Sequence, residues 1–246
     1  MESAIQSPLP PQQGVRTKPW GLPAIALALV VPLLLWGSSL GATIAGGGEG
    51  KLSDGEVAAS FVFTIILDVV LIGIAAGLSI WRYKLPWSEL GLRSFDRSYW
   101  WLPIAAAAGA HAAIIVYAAL LHVVGATEPQ QDLQGLFDNR AILPLAGVSV
   151  VLVAPLAEEI FFRGFIFAGL MRPLGATGAM LASGLLFGAF HITSAGTVGL
   201  MVPFGLIGAF FAWIYYRTGS LWPGICTHLL FNLVSFAALA ATAGNG

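Results

Sequence analysis

Seven long apolar stretches dominate the chain, at about 20–45, 57–81, 100–124, 141–171, 175–195, 197–216 and 221–242. A helix needs roughly 20 mostly apolar residues to cross a bilayer. Backbone polar groups in lipid must pair within their own segment, and these stretches are too long for barrel strands, so helices are predicted. The expected fold is all-α: a polytopic transmembrane helix bundle of about seven helices. The fourth stretch is long enough to hold a tilted helix or one that leaves the membrane. Residues 1–19 are polar and proline-rich (Pro8, Pro10, Pro11, Pro19) and read as a flexible tail. Small residues recur at a spacing of four, Gly73 with Gly77 and Gly184 with Gly188, a pattern that lets helix backbones approach closely.

Composition strengthens this reading. Apolar residues make up 57% of the 246 and charged residues 9%, against about 25% charged in a soluble domain. A net charge of −1 leaves no nucleic-acid footprint. The single cysteine, Cys226, excludes an intramolecular disulfide framework. Arg16 and Lys18 precede the first apolar stretch, and Thr43-Ile44-Ala45 is a passable signal-peptide cleavage site. That stretch is longer than the usual 7–15-residue signal core, so a retained helix is expected.

Charge sets the orientation. With seven alternating helices, Arg16, Lys18, Arg82, Lys84, Arg93, Arg97, Arg163, Arg172 and Arg217 fall on one side, and only Lys51 and Arg140 on the other. Lys and Arg favour the cytoplasmic face, which places the N-terminus inside. Trp20, Trp81, Trp87, Trp100, Trp101, Trp213 and Trp222 lie near the same face, where indole rings suit the interface. Residues 85–99 mix apolar and charged side chains and read equally as a short surface helix or a plain loop.

Ionisable groups inside apolar helices are expensive and ask for a reason. Glu159 and Arg163, four apart on one helix face, can pair. Glu158 points about 100° away and needs another partner; a carboxylate in an apolar site suits general-base work. His191 stands in the fifth stretch, and His228 and Asn232 share a face of the seventh. Taken singly, each feature is equally well explained as a packing salt bridge or an interhelical hydrogen bond. At about 1.5 Å per residue, Glu158, His191, His228 and Asn232 lie at roughly 20, 24, 12 and 18 Å from the cytoplasmic helix ends, close enough to share one cavity.

Glu158-Glu159-x-x-x-Arg163, then Phe187-x-x-x-His191, then His228-x-x-x-Asn232, each on its own helix, resembles the motif set of the CAAX prenyl protease 2 family, also called CPBP intramembrane proteases. Glu89-Leu90-Gly91-Leu92-Arg93 and the run from Tyr216 to Pro223 are similar to bacterial members. The resemblance covers roughly 85–242. It implies three parts: the tail 1–19, two peripheral transmembrane helices in 20–84, and a catalytic helix bundle in 85–242. It also implies an intramembrane endopeptidase that cuts a lipidated or membrane-associated peptide, prenylated or not, with its site open to the cytoplasm of a bacterial plasma membrane. In that reading Glu158 and His191 activate water, His228 and Asn232 stabilise the oxyanion, and Glu159, Arg163 and Phe187 support them. No cofactor is required. The alternative is a zinc version holding the metal with Glu158, His191 and His228; there is no His-Glu-x-x-His motif. A non-catalytic immunity or scaffold protein of the same family is a further alternative. A transporter or proton relay ranks last, because no internal repeat is visible.

The remaining polar residues point less clearly. His111 and His122 read as packing groups. Asp68 stands alone in an apolar run, to pair across helices or stay neutral. Cys226, two residues from His228, faces elsewhere. No Gly-x-Ser-x-Gly elbow occurs, and the C-terminal Ala-Gly-Asn-Gly is no prenylation signal.

Overall fold

The computed structural model describes residues 17–45, 53–125, 140–192 and 195–243. Most of the tail (1–16) and Lys51 lie outside them. The described residues form helices joined by short loops, without strands. The helices are α1 (Leu22–Ala45), α2 (Asp54–Trp81), α3 (Leu102–Val123), α4 (Leu143–Phe190), α5 (Met201–Thr218) and α6 (Trp222–Ala243). Five of the helical segments are long and apolar enough to cross a membrane, and the chain is an integral membrane protein. The expected count of about seven differs for two reasons. The fourth and fifth predicted spans run together as α4, and the first qualifies only as a short apolar helix, Leu22–Leu35. The junction of the two predicted spans is still visible. Gly175, with φ 67° and ψ 174°, breaks α4 into arms 143–174 and 176–190. Only glycine adopts that backbone without strain.

The first arm of α4 is not a regular helix. Val148–Val153 and Glu159–Phe167 are π-helical, with wider i→i+5 turns. Pro155 lies between them and has no N–H to continue the ladder. Wide turns free backbone carbonyls for other partners, and three side chains use them. Asn232 of α6 donates to the Val150 carbonyl at 2.8 Å. Ser183 donates to Phe162 at 2.9 Å, and the Trp20 indole donates to Phe165 at 2.9 Å. Trp20 is therefore buried rather than at the interface. Trp81, Trp87, Trp100, Trp101, Trp213 and Trp222 remain exposed.

The second arm of α4 packs against α5 through glycine. A Cβ on Gly184 would sit 2.5 Å from the Gly205 carbonyl, and one on Gly188 would strike the Met201 carbonyl. Residues 85–99 form two short 3₁₀ turns, Trp87–Leu90 and Arg97–Tyr99, and Leu90 is fully buried. This segment straps the α5–α6 turn. Leu221 N–H donates to the Gly91 carbonyl at 2.9 Å, Arg93 Nε to Gly219 at 2.6 Å, and Ser220 to the Arg93 carbonyl at 2.5 Å. Gly91 has φ 96° and lies under the Tyr215 ring, leaving no room for a side chain. The two outlying stretches that resembled bacterial relatives thus touch one another.

Candidate active site

Glu159 and Arg163 pair as their spacing requires. Arg163 Nη1 lies 3.0 Å from Glu159 Oε1, and both side chains are fully buried. Arg163 Nη2 also donates to the Gly208 carbonyl of α5 at 3.1 Å. Its guanidinium lies over the Phe187 ring, 4.3 Å from the centroid, and beside Phe211 at 5.2 Å. Cation–π contact of this kind is strongest where water is excluded. Gly224 of α6 makes room for the pair, since a Cβ there would come within 3.1 Å of Glu159 Oε2.

Glu158 turns away from this ion pair into a cavity of about 450 Å³, which His191 also lines. His191 Nδ1 is 2.8 Å from the Phe187 carbonyl. A carbonyl only accepts, so Nδ1 carries the proton and Nε2 keeps its lone pair. Two aromatic rings hold the imidazole. Phe204 stacks on it at 4.4 Å and Phe187 is tilted against it at 4.5 Å. His228 sits between the two glutamates. Its Nε2 is 3.9 Å from Glu158 Oε2, and its Nδ1 is 3.4 Å from Glu159 Oε1. Phe187 and Phe211 flank this ring at 5.8 and 5.2 Å. Phe187 thus touches both imidazoles and the guanidinium, which accounts for an aromatic residue at this place in the motif.

The structure brings Glu158 and His191 to one cavity, with His228 3.9 Å from Glu158 and the Glu159–Arg163 pair behind. Asn232 is one helical turn beyond His228. One N–H of its amide is committed to the Val150 carbonyl, and a primary amide has a second. Cys226 is exposed, facing elsewhere. His111 serves packing: its Nδ1 is 2.9 Å from the Ala107 carbonyl and its ring lies 4.4 Å from Phe231. Among the described residues, no three His, Cys, Asp or Glu side chains are disposed to hold one metal ion. The two His228 ring nitrogens face carboxylate oxygens of Glu158 and Glu159 at 3.9 and 3.4 Å.

One cavity residue was not singled out from the sequence as part of the site. Asp68 of α2, only 4% exposed, lines the same space as Glu158 and His191. Sequence placed it in an apolar run without showing which way it faced.

Residues 140–234, which hold all of these groups except Asp68, match the family model described as "Type II CAAX prenyl endopeptidase Rce1-like". This segment is similar to the Rce1-like family. The chain is also 30% identical over 111 residues to the Bacillus subtilis (strain 168) protein named "Putative membrane peptidase YdiL". That alignment spans 45% of this chain and 44% of that protein, so the chain covers less than half the length of its relative. No solved structure matches. The Rce1-like segment starts just before α4 and ends within α6. α1, α2 and α3 lie outside it.

Proposed function

We propose that this protein is an intramembrane endopeptidase that hydrolyses a peptide bond in a lipidated or membrane-associated substrate by glutamate-activated water. The observation that carries the reading is the placement of the Glu158 carboxylate and the His191 imidazole on one cavity, with His228 3.9 Å from the carboxylate.

The chemistry follows from that placement. A water between Glu158 and His191 gives one hydrogen bond to the carboxylate and one to the free Nε2 lone pair. Glu158 takes its proton as the oxygen attacks the substrate carbonyl carbon. His228, through Nε2–H, and the second N–H of Asn232 receive the oxyanion. Glu158 then returns the proton to the amine nitrogen as the C–N bond breaks. Arg163 and Glu159 hold His228 and the α4–α5 contact in place. The apolar cavity wall from α1 and α2 suits a substrate carrying an apolar chain. The excess of Lys and Arg in the 82–97 loop supports a cytoplasmic position for that loop in a bacterial plasma membrane.

The test is cleavage of fluorogenic lipidated and unlipidated peptides by the purified protein in detergent. Glu158→Gln is expected to lower kcat by about 10²–10⁴-fold, the usual weight of a general base, and a chelator is expected to leave wild-type cleavage intact. Cleavage that survives in Glu158→Gln overturns the mechanism. Cleavage abolished by the chelator and restored by zinc replaces it with the metal version.

A further inference from the structure

Asp68 is the only charged residue between Glu56 and Arg82. Placing a carboxyl there is costly unless it is used. Its Oδ2 accepts no hydrogen bond from any described protein group. Among the described residues, the ionisable groups that share its cavity are Glu158 and His191, both from α4, and no lysine or arginine lines that space. The Arg163 guanidinium of α4 is spent on Glu159 and Gly208.

Two further polar residues of α2 line the cavity at spacings of four, Thr64 and Ser60. Both give their hydroxyl hydrogens to their own helix. Thr64 donates to the Ser60 carbonyl at 3.0 Å and Ser60 to the Val57 carbonyl at 2.7 Å. What they turn to the cavity is oxygen lone pairs. Within the otherwise apolar α2 wall, Ser60, Thr64 and Asp68 therefore form a row of acceptors ending in a carboxylate, in the cavity that Glu158 also lines. A row of acceptors without donors fits a ligand that brings donors and positive charge.

We infer that Asp68 is a specificity determinant of this site, receiving an ammonium or guanidinium group carried by the substrate near the scissile bond. The inference rests on the protease reading for the bond that is cut, but not for the binding. α2 lies outside the segment matched to the Rce1-like family, so this selectivity belongs to the chain's own cavity wall. The cation comes either from a lysine or arginine side chain or from a free N-terminal amine.

The experiment uses the full-length protein in detergent and one lipidated fluorogenic peptide. Lysine, arginine, norleucine or glutamate is placed at each of three positions on either side of the scissile bond, with the N-terminus free or acetylated. The wild type is expected to prefer lysine or arginine to norleucine by about tenfold or more in kcat/KM at one position, the weight of one charged hydrogen bond. Asp68→Asn is expected to bring that ratio close to 1, mostly through KM, and Asp68→Glu to restore it. A preference that follows the free N-terminus and vanishes on acetylation assigns the amine as the source. The same peptides are titrated onto Glu158→Gln by fluorescence anisotropy, which needs no cleavage. Lysine preference that depends on Asp68 in binding, with no peptide cleaved by the wild type, removes the protease reading and keeps this one. Glu158-dependent cleavage without a basic preference, or a preference unchanged in Asp68→Asn, overturns this one. The wild-type comparison of lysine with norleucine decides the matter even if Asp68→Asn fails to fold.

Discussion

At the scale of single residues, the site is built around a buried charge pair that cannot lose one member cheaply. Glu159 and Arg163 are both inaccessible to solvent and 3.0 Å apart. Removing one partner leaves an uncompensated buried charge, which costs about 3–5 kcal/mol, whereas replacing both with apolar groups of similar size costs far less. Glu159→Gln and Arg163→Met are each expected to lower the melting temperature in detergent more than the double variant Glu159→Met/Arg163→Met. A double variant less stable than either single would contradict this. The pair was legible in the sequence because a spacing of four on a helix admits one arrangement. Asp68 was not, because the sequence does not show which helix the Ser60, Thr64 and Asp68 face of α2 meets. Arg163 shows a second limit. Its charge counted toward the cytoplasmic excess, yet it is a core residue, which leaves eight of the nine cations on that side.

At the scale of elements, identical sequence signals have different physical content. Gly184 and Gly188 hold two helix backbones in contact, while a Cβ on Gly73 meets nothing within 4 Å and one on Gly77 meets only the Trp81 ring at 3.8 Å. Gly188→Leu is therefore expected to cost at least the 1–3 kcal/mol typical of overpacking and to displace His191, which follows three residues later. Gly73→Leu is expected to be tolerated. Melting temperature together with cleavage rate separates the two. The motif resemblance at 89–93 and 216–223 points to these segments but carries no geometry. Their contact becomes intelligible only once Gly91, Arg93 and Ser220 are seen to exchange backbone and side-chain hydrogen bonds.

At the scale of the whole molecule, composition alone was enough to reveal a membrane-embedded helical protein. The number of spans was harder to read, because a hydropathy pattern cannot distinguish two helices from one helix broken at Gly175. The orientation is open to direct measurement. In a Cys226→Ala background, Ser94→Cys in the loop before α3 is expected to react with an impermeant maleimide only from the cytoplasmic side. Gly125→Cys, after α3, is expected to react only from the opposite side. Reversed labelling would overturn the orientation read from the charges.

The π-helical stretch 159–167 has a consequence for how the chain tolerates changes of length. A wide turn holds one residue more than an α-turn. Deleting one residue there lets the turn relax to ordinary spacing with the downstream faces preserved, at the cost of the carbonyls that Trp20 and Ser183 use. The same deletion within 176–190 has no slack to absorb it and rotates His191 by about 100° away from Glu158. Length variation in α4 is therefore compatible with an intact site in the wide turn and incompatible with it beyond Gly175.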